Sequence, residues 1–552
     1  MKLKRFFKKL GVFILIFLWF LSGWPSIWQN PSIPPKIQPV YAAVSITAAT
    51  GGGAISADTN GTNGTGVYTA LTNPIIIEAA AGDIGSTGTI ILNAPSGFAF
   101  DTGTNVTLTV TNGSCSGGGN KPVTLGTGAG SSLQTVTPLA ATITHTVKQR
   151  STGVVGCAGT LTYTNVKIRP TVGTPLASGN ITISGTAGVS SSTAGGLTEV
   201  VGAKNKLAVT TQPLSTATVN TDFTTKPVVK LQDLYGNTVT TDSSSTVIEA
   251  VVLSAQSCGG TAGSGSLTST PTSGSAVSSG IMTYTAMQYS AVESIKICFS
   301  STGVTSALSN AVNVISLPTV TTQDASSVKD TTATANGYIT ATNGENADKQ
   351  GFVYDTSSHS LPGNVAPTSS GYASYAENTG SYGTGAFTKG LTNLNSGATY
   401  YGRAYAHNSA GYSYGGEVNF TTAVIAISIT SNGVVSYGFV APSANKDTTA
   451  GGTQTARNDS TIAENFNIKT SNATGGTQWT IGSSAGVNIF VHEFSTNGGS
   501  VWTKFTAADT YQTLATGVAA SGTQNFDLRI TAPTDSDTQQ KTITITVQAF
   551  AQ

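Results

Sequence analysis

Charge is the scarcest commodity in this 552-residue chain, at 9% Asp, Glu, Lys and Arg. Histidine, methionine and cysteine are equally thin, with four, three and four copies, and only five tryptophans occur. Each shortage excludes something. Beyond the N-terminal segment no Lys and Arg cluster, so the mature chain has no electrostatic footprint for nucleic acid. The four histidines, His145, His359, His407 and His492, fall in three separate regions, so neither a His-containing triad nor a zinc site assembles from them. His492-Glu493 opens like a zinc-protease motif, but the second histidine position holds Thr496. Helical periodicity over ten or more residues is also missing beyond the N-terminus.

The N-terminus sets the compartment. Lys2, Lys4, Arg5, Lys8 and Lys9 precede an uninterrupted apolar run over residues 12–21, the order of an export signal. A proline-rich stretch leads to Val40-Tyr41-Ala42, where the apolar Val40 and small Ala42 at positions −3 and −1 allow cleavage after Ala42. An uncleaved signal anchor is the alternative, since the same basic residues would hold the N-terminus in the cytoplasm. The run is short of the roughly 20 residues of a full span, which favours cleavage. Residues 1–42 hold six basic residues and no acidic one, so their removal leaves 20 basic against 25 acidic side chains, about −5.

What remains is abundant Thr, Ser, Gly and Ala, with β-branched and aromatic residues recurring at strand spacing. Disordered chains lack that recurrence. About 510 residues at roughly 100 to 150 per domain predict three to five domains. Short alternating runs separated by Asn-Gly, as at Asn112-Gly113, Asn336-Gly337, Asn343-Gly344, Asn432-Gly433 and Asn497-Gly498, predict hairpins. The fold class is therefore all-β, a string of β-sandwiches after the signal segment. The boundaries are 1–42 for the signal peptide or anchor, then 43–203, 204–316, 317–422 and 423–552.

The cysteines fall as Cys115 with Cys157 and Cys258 with Cys298. Outside the cell both pairs are expected to be oxidised, and pairing within each domain avoids crossing between cores. A metal site would need closer ligand spacing and nearby histidines.

In the first region Val106, Leu108 and Val110 alternate with Thr107 and Thr109, and Ile143, His145 and Val147 repeat the pattern. His145 thus reads as a hydrogen-bonded core histidine. In the second region, the strand ending at Asp233-Leu234-Tyr235-Gly236-Asn237 resembles the bacterial immunoglobulin-like domains of surface proteins. Asp233, Asn237 and Asp242 offer oxygens for calcium, but without the spacing of a dedicated loop they read as turn caps.

The third region carries the fullest signature. Leu394, Gly397, Tyr400, Ala404, Ala406, Asn408 and Gly411 resemble the later strands of a fibronectin type III module. The resemblance implies that Tyr400 forms a tyrosine corner, ring in the core and hydroxyl on nearby backbone. The module's usual core tryptophan is missing, and Tyr338 or Phe352 is expected in its place. Ten of the 18 tyrosines lie in residues 318–422. Alternation sets Tyr401, Arg403 and Tyr405 on the face opposite the core, where they form a candidate ligand-binding patch centred on Arg403. The bland alternative is ordinary strand tyrosine.

In the last region Ile425, Ile427 and Ile429, then Phe526, Leu528 and Ile530, then Ile543, Ile545 and Val547 alternate with polar residues. Trp479 and Trp502 lie here, and their exposure would favour sugar binding. Sequons at Asn105, Asn180 and Asn472 carry no weight in so Thr- and Ser-rich a chain. With no sorting motif at its end, the chain reads as attached through its N-terminus, a partner or non-covalent contact.

Together these features predict a secreted or cell-surface, non-catalytic structural or adhesive protein. It needs no cofactor or metal. Its expected partner is a cell-wall glycan, a polysaccharide or another surface protein, with no nucleic acid, and a membrane only through an uncleaved N-terminal segment. A carbohydrate-binding accessory protein is the alternative. A secreted hydrolase built from scattered carboxylates comes last.

Overall fold

The computed structural model describes residues 44–551 apart from Ser116, Val154, Ser190, Ser191 and Asn432. The expected signal segment, residues 1–42, and Asn432 of the expected Asn432-Gly433 turn lie outside the described residues. Everything described is strand and loop, with three short 3-10 turns. The chain forms two compact units, divided between Val200 and Val201.

The first unit is a β-sandwich. One layer is a five-stranded antiparallel sheet in which Gly159–Thr164 lies between Ile75–Ile77 and Val106–Asn112, with Ser45–Thr47 and Leu133–Val136 at the edges. The other is six-stranded, built around Gly88–Asn93 between Thr142–Gln149 and Ser178–Ser184. Strict alternation makes the core: Leu108, Val110, Leu161 and Tyr163 point in from the first layer, Ile90, Leu92, Ile143 and Ile181 from the second. Burying one such aliphatic side chain stabilises by about 1.5–3 kcal/mol.

The second unit contains three further sandwiches, each with its own apolar core. The first packs Val229, Leu231 and Met282 of one sheet against Val247, Ile295, Ile297 and Phe299 of the other. The next sets the sheet of Thr319–Ser326, Ala333–Ala341 and Gly385–Leu391 against one built on Ser374–Tyr382, Ala347–Asp355, Thr399–Asn408 and Gly411–Tyr414. The last has a seven-stranded layer facing Gln512–Val518, Glu464–Thr470 and Ile545–Ala551. Phe526, Leu528 and Ile530 are buried there as their alternation requires, while Ile429 is 40% exposed on an edge strand.

Several expected turns take other forms. Asn336-Gly337 sits inside the strand Ala333–Ala341, because a side chain at Gly337 would collide with the Phe387 ring and Ala404. There the glycine marks close packing between sheets, not a turn. Asn343 and Gly344 do adopt positive φ, yet they connect strands of two different sheets. Asn112-Gly113 ends a strand without forming a hairpin, since the next residues lead to the Cys115 bridge. Asn497-Gly498 does close a hairpin, between Ile489–Ser495 and Thr503–Lys504.

Candidate functional site

The third sandwich is where the tyrosines concentrate. Its inner face is ordinary core. Tyr400 lies against Phe420 with ring centroids 5.7 Å apart, and its hydroxyl accepts the Asn395 N–H at 2.9 Å. Phe352 is buried in this core, its ring centroid 5.1 Å from that of Phe387. Tyr338 is 39% exposed and takes no part.

The outer face departs from expectation. Tyr401, Arg403 and Tyr405 do point away from the core, but they form no open patch: Tyr405 is 0% and Arg403 only 9% exposed, and Tyr401 is half-buried. The reason is the connection after Ala347–Asp355. Its residues 356–373 fold back over the sheet as a strap and bury Val353 and Tyr405 in a second small apolar cluster with Tyr372, beside Tyr412 and Tyr414. Gly351 opposite Tyr405 makes room, since a side chain there would strike the tyrosine ring.

Arg403 fastens that strap. Its Nε donates to the Tyr372 hydroxyl at 2.8 Å, Nη1 to the Gly415 carbonyl at 3.0 Å and Nη2 to the His359 carbonyl at 3.0 Å. Glu417 lies 4.0 Å from the guanidinium and accepts from the His359 N–H, the Ser358 hydroxyl and the Tyr372 hydroxyl. Burial pushes the Glu417 carboxyl up, but these donors and Arg403 outweigh it and hold it below the usual carboxylate range. Asp355 accepts from His359 and from the Ala373 N–H. Under the strap the Tyr405 hydroxyl donates to Glu377 at 2.9 Å, and burial with that carboxylate drives its pKa up. Three N–H groups of Arg403 are thus committed to holding loops. Sequence reasoning missed His359 and Glu417, which no local pattern distinguishes; the 18-residue gap between strands was the available signal.

Other candidates are also absorbed by the scaffold. Asp233 is fully buried, its oxygens accepting from the N–H groups of Gly202, Tyr235 and Asn237 and from the Asn237 amide. Asp242 caps the N–H groups of Ser245 and Ser244, which hold its carboxyl far below the usual range. Both carboxylates therefore serve turns. His145 is buried, with Nε2 3.2 Å from the Gln134 carbonyl, and burial lowers its pKa to about 4. His492 is likewise buried between Thr470 and Tyr437 and is pushed down to about 3. Trp479 is 9% exposed beneath the Lys541 ammonium, and the half-buried Trp502 lies 4.5 Å under the Arg529 guanidinium. Cys115 is bonded to Cys157 and Cys258 to Cys298. Among the described residues no group of His, Cys, Asp and Glu is arranged to hold a metal ion.

No protein-family model and no curated protein matches the chain. Solved structures similar to it include domains A168–A170 of titin, at 10% identity over 49% of this chain and 81% of that one, with a TM-score of 0.21. The chicken CNTN1 FN1–FN3 domains align over 62% and 98% at 9% identity and a TM-score of 0.21. A chitinase, ChiA74 from Bacillus thuringiensis, aligns over 41% and 29% at 12% identity and a TM-score of 0.13. At such scores the superpositions decide nothing about function. The class rests on the chain's own strand order, alternation and Tyr400 corner, which define tandem immunoglobulin- and fibronectin-like β-sandwiches.

Proposed function

We propose that this chain is an exported, non-catalytic modular protein that acts as a spacer on a cell surface. The observation that carries the reading is the fate of the polar candidates. Arg403, Glu417, Asp233 and Asp242 spend their hydrogen bonds on loops and turns of their own domains, and His492 bonds to Thr470 at a strand end and to Tyr437. Such groups fix a scaffold and present no convergent set of free donors and acceptors to a substrate. The two disulfides support an oxidising compartment, and the basic-then-apolar N-terminus supports export.

Expression in a bacterial host with the native N-terminus tests both halves of the reading. The chain is expected outside the cytoplasm with all four cysteines oxidised. The purified protein is expected to show no saturable binding to insoluble polysaccharides or cell-wall preparations. Cytoplasmic recovery with free thiols would sink the export reading. Saturable glycan binding that a folded Trp502→Ala variant loses would replace the spacer by a carbohydrate-binding protein.

A further inference from the structure

Two joints inside the second unit are built in opposite ways. Tandem domains on a short linker swing relative to one another unless contacts fix the joint. Between the second and third sandwiches the linker is residues 316–318, from the end of Val312–Ile315 to the start of Thr319–Ser326. Each of its residues is held by the third sandwich. Ser316 donates its N–H to the Asn343 carbonyl at 3.0 Å, and its own carbonyl accepts from the amide of the fully buried Asn408 at 2.8 Å. The Leu317 carbonyl accepts from Asn343 Nδ2 at 2.6 Å, and the Pro318 carbonyl from the Ser413 hydroxyl at 2.6 Å.

The turn at Asn343 and Gly344 closes this joint from the other side. The Gly344 carbonyl accepts from the side chain of Asn313, in a strand of the second sandwich, at 2.8 Å. Gly344 has a φ of 93°, and a side chain there would come within 3.0 Å of Ile315 and 3.2 Å of Val292. Glycine alone lets the turn sit so close at that φ. The strands Ala333–Ala341 and Ala347–Asp355 flank the turn, which ties its position to the core of the third sandwich.

The joint between the third and last sandwiches lacks such a clamp. Ala423 is still anchored to the third, its N–H on the Lys329 carbonyl and its carbonyl accepting from Gly397 and Ser396. Ala426 already belongs to the last, its N–H on Glu464 and its carbonyl accepting from Asp459. Val424 and Ile425 lie between, with no hydrogen bond from either backbone, and Val424 is 50% exposed. Among the described residues no hydrogen bond, ion pair or ring contact links residues 317–423 to residues 426–551. Each of the two linking residues contributes two soft dihedrals, and rotation about them breaks no bond of either sandwich.

We propose that the second and third sandwiches move as one rigid body and that the last sandwich swivels on Val424 and Ile425. In a spacer, such an arrangement keeps a fixed reach and lets the last sandwich meet a partner at many angles. That use rests on the spacer reading, but the test does not, because glycan binding would end that reading without altering how the sandwiches move.

Pulsed dipolar spectroscopy on the full chain with both disulfides intact tests the proposal. The four native cysteines are bonded to one another, so nitroxides attach only to introduced ones. Thr268, Thr388 and Thr513 are exposed strand residues of the second, third and last sandwiches. Labels at Thr268→Cys and Thr388→Cys read the first joint, and labels at Thr388→Cys and Thr513→Cys the second. The first distance distribution should be as narrow as that of a label pair inside the third sandwich. The second should be at least about twofold broader, since hinge motions of microseconds to milliseconds are trapped as an ensemble on freezing. A second distribution no broader than the first overturns the proposal, and so does a first distribution broader than the reference pair. Gly344→Val pushes a side chain into Ile315 and Val292 and should broaden the first distribution alone. If the first stays narrow in that variant with an unchanged circular dichroism spectrum, the clamp is refuted. The parent distributions decide the matter whether or not the variant folds.

Discussion

Replacing Arg403 by methionine keeps most of the side chain's volume and removes its three hydrogen bonds. The Gly415 and His359 carbonyls lose their donor, and the Glu417 carboxylate loses the cation beside it. An unsatisfied buried polar group costs about 1–3 kcal/mol, and breaking a buried charge pair by removing one partner costs about 3–5 kcal/mol. Opening the strap lets water reach the stranded groups, so the loss is limited to the free energy of holding residues 356–373 closed, about 3–5 kcal/mol. Hydrogen exchange reads that quantity locally, which matters in a multidomain chain where a single melting transition is ill defined. Amides of His359, Ser370 and Ala373 are bonded inside the strap and serve as reporters. Their exchange in Arg403→Met should accelerate by about two to four orders of magnitude. Tyr401→Phe, at a half-buried residue outside the Arg403 network, should leave them unchanged. If strap exchange in Arg403→Met stays within about threefold of the parent, the fastening role of Arg403 is wrong.

Three more expectations are independent of that one. His145 has a depressed pKa in the folded state, about 4 against 6.5, so the unfolded chain binds the proton first. The stabilisation is complete above pH 6.5 and declines as pH falls toward 4, by about 3 kcal/mol for the first unit; denaturant titrations across that range should show the slope, and His145→Gln should abolish it. Cys258→Ala with Cys298→Ala removes a cross-link spanning 40 residues and should cost about 4 kcal/mol on the loop-entropy model, read as a lowered denaturant midpoint of that domain; an unchanged midpoint refutes it. Tyr400→Phe should cost about 1 kcal/mol by losing the bond to the Asn395 N–H, with exchange at Asn395 as the specific readout.

The alternation in this sequence was sufficient for much of the architecture. Leu108 against Thr109, or Leu528 against Arg529, can satisfy a core on one side and water on the other only as strands, because the side-chain period of a strand is two. The tyrosine corner and the disulfide partners were legible for similar reasons, being set by local motif and by cysteines confined to single domains. What alternation cannot say is whether the face turned from the core meets water or more protein. Tyr405 and Thr109 occupy equivalent outward positions, yet the first lies under the strap, fully buried, and the second remains accessible. That difference is made by where residues 356–373 return in space and by Arg403 and Glu417, remote in sequence from His359, fastening them there. The Asn-Gly pairs teach the same lesson. A dipeptide permits positive φ, but the Phe387 ring pressed against Gly337 makes that glycine a packing site, a contact between residues 50 positions apart that only the tertiary structure decides.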